Sequence, residues 1–163
     1  MTPVGRAPRW AAPASTTLAV VGLLVSAYLT VEHFSQGSTL ACPEGEVVNC
    51  AVVTASSYAY LAGIPVALLG LLFYAVLLPL CLRRVWASPD RRLDWARLGL
   101  CAVGLVFVFY LVWAELYRIN AICLWCTGVH VVTFLLFCVV LFAQLLREPV
   151  VVSRGRPAAR RAR

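Results

Sequence analysis

The chain has 163 residues, of which 62% are hydrophobic and only 13% charged, and its mean hydropathy is +0.87. A water-soluble domain of this length needs far more charge to cover its surface, so a soluble globule is excluded and one membrane-embedded domain is indicated. The net charge of +7 does not point to nucleic acid, because all fourteen basic residues are Arg and they cluster beside apolar runs, as they do at the cytoplasmic ends of membrane spans.

Four runs are long enough to cross about 30 Å of hydrocarbon, which takes ~20 helical residues. The first runs from about Thr17 to Phe34 and the second from about Ile64 to Leu82. The third covers about Ala96 to Leu116, and the fourth about Ala121 to Leu146. Pro65 suits a first helical turn, where its missing N–H costs nothing. Pro79 lies inside the second run and predicts a kink near its end. The chain thus divides into an N-terminus at 1–16, an all-α membrane domain of four transmembrane helices at 17–146, and a tail at 147–163. The Arg/Pro/Ala composition of that tail reads as disordered.

Orientation follows from the arginines. Thirteen of the fourteen flank the N-terminus, the link between the second and third runs, or the C-terminus, and only Arg118 falls on the other side. Both termini are therefore expected in the cytoplasm. A cleaved signal peptide is the other reading of the first run, but that run is long for one.

This topology puts four cysteines at one outer surface: Cys42 and Cys50 in the first external segment, Cys123 and Cys126 where the fourth run begins. Disulfides persist outside the bacterial cytoplasm. In Cys123-Leu124-Trp125-Cys126 the two thiols are one helical turn apart, and a helix N-terminus favours a nucleophilic thiolate. Cys42 and Cys50 flank a polar stretch with Pro43, Gly45 and Asn49, which predicts a mobile loop. A loop pair beside a helix-borne pair suits thiol–disulfide relay. The loop pair could instead be a plain staple, or all four sulfurs could hold one zinc ion. Cys81, Cys101 and Cys138 are each alone in an apolar run and read as small hydrophobes.

At this point the arrangement resembles the vitamin K epoxide reductase family, bacterial branch. The likeness covers about residues 17 to 146. It rests on Cys42, Cys50, Ser56, Tyr58-Ala59, Gly63-Ile64-Pro65 and Cys123-Leu124-Trp125-Cys126. The order matters, since the DsbB-type quinone-linked oxidases carry CxxC first and the wider pair second. The resemblance implies a thiol oxidoreductase of the bacterial cytoplasmic membrane. An extracytoplasmic loop and a short half-helix would lie between helices 1 and 2. Cys42 would exchange disulfides with an external thioredoxin-like or DsbA-like protein, and Cys50 with Cys123. Cys126 would be the thiolate facing a quinone of menaquinone, ubiquinone or vitamin K type, able to add to its ring. Ser56 would sit on the half-helix capping the quinone pocket, its other reading being a helix N-cap or turn.

Two departures narrow this. Epoxide-reducing animal members carry an Asn early in the second span and a Tyr four residues after the second CxxC cysteine, where this chain has Val66 and His130. Quinone reduction is therefore expected rather than epoxide opening, with His130 one turn after Cys126 as a donor to the quinone or as a packed histidine. Many bacterial members continue into a fused thioredoxin-like domain. Here an Arg-rich tail follows, so the expected partner is a separate protein. Neither metal nor flavin is required, since a quinone accepts both electrons. An epoxide reductase proper, and a scaffold merely stapled by its disulfides, are the rival readings. Glu32, His33 and Glu115 end spans and are expected near the interface, although an intramembrane carboxylate is a functional candidate.

Overall fold

The computed structural model of the protein describes residues 7–35, 42, 45 and 47–147. Most of the expected tail (148–163), the start of the N-terminus (1–6), and Pro43, Glu44 and Glu46 of the expected mobile loop lie outside the described residues. Among the described residues, three helices are long and apolar enough to cross a membrane: α1 (Ala11–Phe34), α5 (Arg91–Ala114, prolonged to Ile119) and α6 (Leu124–Leu145). α6 has 22 residues, or roughly 33 Å at 1.5 Å per residue. α1 begins at Ala11 rather than near Thr17 because Pro13 falls in the first turn, where no N–H is needed.

The second apolar run behaves differently. Its helix, α3 (Val66–Cys81), has 16 residues, roughly 24 Å, and is too short by itself to cross ~30 Å of hydrocarbon. A two-residue hairpin takes the start of the run, with β1 (Tyr60–Leu61) paired antiparallel to β2 (Ile64–Pro65). Its turn has positive φ at Ala62 (51°) and Gly63 (82°), the geometry that lets a two-residue turn match strand twist. Pro79 lies in the last turn of α3, and a short α4 (Arg83–Trp86) follows. Between α1 and the hairpin lie α2 (Cys50–Ala55) and a 3₁₀ turn at Ser57–Ala59, the expected half-helix.

α1 is central, packing against α3 and α6, while α5 packs against α6. Gly22 permits the α1–α3 contact, since a Cβ there would lie 2.2 Å from the ring of Tyr74. Tyr74 is fully buried and reaches across to Thr133 of α6 at 2.8 Å. The Thr133 hydroxyl donates to the Val129 carbonyl, so the Tyr74 hydroxyl is the donor of this interhelical bond.

At the end away from CxxC the helices are tied by charge. Arg97 is fully buried, donates to the Leu80 carbonyl at the end of α3 (2.8 Å) and pairs with Asp94 (2.6 Å). Its guanidinium lies 3.3 Å from the centroid of the Trp86 ring. Arg147 also pairs with Asp94, and Gln144 donates to the Asp94 carbonyl. Thr16 donates to the Cys81 carbonyl at 2.8 Å, so two of the free carbonyls ending α3 have donors from other helices.

Candidate functional site

The other end is assembled from short pieces. Ala121–Cys123 stays extended instead of starting the fourth helix, because Ile122 is claimed by the segment before α2. The Ile122 N–H donates to Val47 (2.9 Å) and its carbonyl accepts from Asn49 (3.1 Å), an isolated parallel bridge between Val48 and Ile122. Asn49 then caps α2, its side-chain oxygen accepting from the Val52 N–H at 3.1 Å. Cys50, the first residue of α2, is thereby laid beside Cys123. Both are buried, at 1% and 0% exposure, in one cluster with Val53 and Ala121. Cys42, half-buried, borders that cluster and is disulfide-bonded to Cys50. The structure therefore brings all four candidate sulfurs to one place.

Cys123 is not inside the helix but is its N-cap, with φ −97° and ψ 116°. Its sulfur accepts from the Cys126 N–H at 3.3 Å, and the Cys126 sulfur lies 2.7 Å away. Both are free thiols here, placed side by side as a pair that can form a disulfide. In the dithiol the Cys126 thiol, hydrogen-bonded to Cys123, holds the Cys123 thiol below the usual range, with the Cys126 N–H adding to it. Burial and the Glu115 carboxylate oppose the shift and are outweighed. Trp125 packs on Tyr28 of α1 with ring centroids 4.9 Å apart, fixing the CxxC turn against the bundle.

Beneath this cluster lies a cavity of about 280 Å³ between α1, α3, α5 and α6, roofed by α2 and the 3₁₀ turn. Of the four candidate sulfur residues, all among the described residues, only Cys126 lines it. Its walls are mostly aliphatic and aromatic, and its volume is near the lower end of the ~300–1,000 Å³ typical of small-molecule sites. This fits a flat, apolar ring with a few polar contacts at its edge. Ser56 and His130 both line the cavity. Ser56 lies between α2 and the 3₁₀ turn, and its hydroxyl donates to the Val53 carbonyl at 2.7 Å. Its oxygen can still accept from a ligand. His130 is buried one turn below Cys126. Val66 lines the same cavity.

Three further residues stand in the cavity wall. His33 lines the cavity and stacks edge-on against Tyr60 at 5.2 Å. Tyr58 also lines it, its hydroxyl accepting from Arg118 Nε at 2.7 Å. Glu115 is buried at 6% exposure and lines the cavity. It opens a π turn, Glu115–Ile119, that ends at Asn120 in the left-handed conformation (φ 54°), an insertion often found at functional sites. The signal available for Glu115 was a carboxylate in a membrane helix eight positions before CxxC. Cys81, Cys101 and Cys138 lie on α3, α5 and α6 away from these sulfurs, and none lines the cavity.

A sequence profile of the vitamin K epoxide reductase family matches residues 13–141. No curated protein matches the chain.

Proposed function

The chain belongs to the vitamin K epoxide reductase family, and we propose that this membrane oxidoreductase takes electrons from a separate thioredoxin-like or DsbA-like protein and delivers them to a quinone. In this reading the bundle spans the bacterial cytoplasmic membrane four times, with α3 as the short second span. Both termini are cytoplasmic, the sulfurs face outward, and the arginine distribution supports that orientation.

The electrons move by disulfide exchange. A partner thiolate attacks Cys42 in the Cys42–Cys50 disulfide, and Cys50 leaves as thiolate. The partner's second thiol resolves the mixed disulfide, so the partner leaves oxidised and Cys42 is freed. Cys50 then attacks Cys123 in a Cys123–Cys126 disulfide, releasing the Cys126 thiolate at the cavity. Cys42 resolves the Cys50–Cys123 bridge, leaving the CxxC pair reduced and the loop pair oxidised. Within this cycle Cys126 carries charge while Cys123 is bridged to Cys50, and Cys123 carries it in the dithiol. When bound, the quinone supplies a two-electron acceptor. Cys126, Ser56 and His130 would meet its polar edge, and the apolar walls its ring.

One observation carries the reading: Cys50 and Cys123 share a buried cluster, and Cys126 alone of the four lines an apolar cavity. Val66 and His130 on that cavity wall, in place of the Asn and Tyr of epoxide-reducing members, favour quinone over epoxide. The test is disulfide trapping. Cys50→Ala should accumulate a mixed disulfide between Cys42 and a thioredoxin-like protein, identified by mass spectrometry. Cys42→Ala should accumulate a Cys50–Cys123 bridge. A partner found on Cys50 in the Cys42→Ala protein, with none on Cys42 in the other, would reverse the two roles.

A further inference from the structure

Quinone reduction moves protons as well as electrons, and the cysteines cannot place the protons alone. When Cys123 and Cys126 close their S–S bond they lose two electrons and two protons, and the quinone gains two of each as quinol. The cavity walls are mostly aliphatic and aromatic, so a proton crossing it needs a group that can accept and return it.

Glu115 is the acidic side chain in position, among the described residues. It lines the cavity with Cys126. Its carboxylate accepts a hydrogen bond from the Cys123 backbone N–H, and its charge is felt by both CxxC sulfurs. Its own carbonyl accepts from the Ala121 N–H at 3.3 Å, so main chain and side chain both hold it against the strand that carries Cys123. Glu115 opens the π turn that closes α5.

We propose that Glu115 is the proton carrier between the CxxC pair and the quinone site, an inference that rests on the function proposed above. As the S–S bond forms, the Glu115 carboxylate takes the proton leaving Cys126 and gives it to a quinone oxygen in the cavity. The other thiol proton leaves to water at the outer surface, and the other quinol proton arrives from water.

Glu115→Gln separates this role from a structural one, because the amide oxygen can still accept from the Cys123 N–H but the side chain cannot carry a proton. The full-length protein is measured in three ways. Turnover of a thioredoxin-like dithiol with quinone should fall on the order of 10²-fold or more in kcat, with little change in quinone KM. Reduction of the Cys42–Cys50 disulfide by the same dithiol, without quinone, should keep its wild-type rate. Infrared difference spectra between disulfide and dithiol forms, again without quinone, should show a carboxyl band that the Gln variant lacks. Glu115→Asp should recover part of the lost kcat. A Gln variant within twofold of wild-type kcat, or wild-type spectra without that band, would overturn the proposal. So would a Gln variant that also loses disulfide exchange, since Glu115 would then be a structural residue. If the wild-type protein itself reduces no quinone, the function proposed above falls first and this inference with it.

Discussion

At the end of the bundle away from CxxC, Arg97 is fully buried between helices, yet it reaches the Leu80 carbonyl, the Asp94 carboxylate and the face of Trp86. At the sulfur end, the ties between segments among the described residues include an isolated bridge at Val48–Ile122, a disulfide, the exposed Arg118–Tyr58 bond and the Ala121 N–H bond to the Glu115 carbonyl. The first end joins whole helices through charge-assisted bonds in a low-dielectric setting. The second joins a six-residue helix, two-residue strands and a π turn. Short segments of this kind open at lower free energy than the long helices they sit on. The difference suits the proposed division of labour: disulfide exchange needs sulfurs that can change partners, while the cavity needs walls that do not move.

Mutations at the two ends should therefore fail differently. The largest expected effect is at the sulfur end, where Cys126→Ala or Cys123→Ala should abolish quinone reduction while leaving thermal unfolding close to wild type. The Cys126→Ala protein also isolates the electrostatics. Removing the donated thiol hydrogen bond should move the midpoint of Cys123 alkylation up in pH toward the ordinary thiol value. The sign follows because that bond stabilises the thiolate, so the wild-type thiol loses its proton at lower pH. Measuring iodoacetamide labelling against pH checks this, and an unchanged midpoint would remove the assignment.

At the opposite end the effect should be on stability instead. Asp94→Ala leaves two guanidinium groups without their shared carboxylate, one of them fully buried. Breaking such a buried pair costs about 3–5 kcal/mol, readable as an earlier unfolding transition in detergent. The protein that remains folded should reduce quinone at near wild-type rate. A large loss of kcat with no loss of stability would mean the two ends are coupled. The smallest effects belong to Cys81→Ala, Cys101→Ala and Cys138→Ala, which should leave quinone reduction near wild type. Their sulfurs do not line the cavity.

What could be read in the sequence follows the same division. The long helices were visible because apolar runs of some twenty residues have few other solutions, and the cysteine pairs because their spacing and their expected side of the membrane coincide. The sulfur end was less legible below the level of residue choice. The Val48–Ile122 bridge is a single residue pair and leaves no periodic pattern, so the delayed start of α6 at Leu124 could not be foreseen. α3 ran short for a similar reason: apolar composition is continuous through Ile64, and only the Ala62-Gly63 turn diverts the chain. Arg97 was counted as one more flanking charge. Its burial depends on Asp94 three residues earlier and on Trp86 and Arg147 from other elements, a juxtaposition that charge counting does not contain. Glu115 and His33 were placed at the interface because each ends an apolar run, and the cavity that reaches them is formed by several helices at once.

The central claim is that electrons from a protein dithiol leave this chain through a quinone. It is tested most directly by incubating the purified full-length protein with a reduced thioredoxin-like protein and following both thiol loss and quinol formation. The account predicts one quinol formed for each dithiol oxidised, and no turnover beyond the protein's own disulfides when quinone is withheld. Continued dithiol oxidation without quinone, or no quinol formed in its presence, would contradict it.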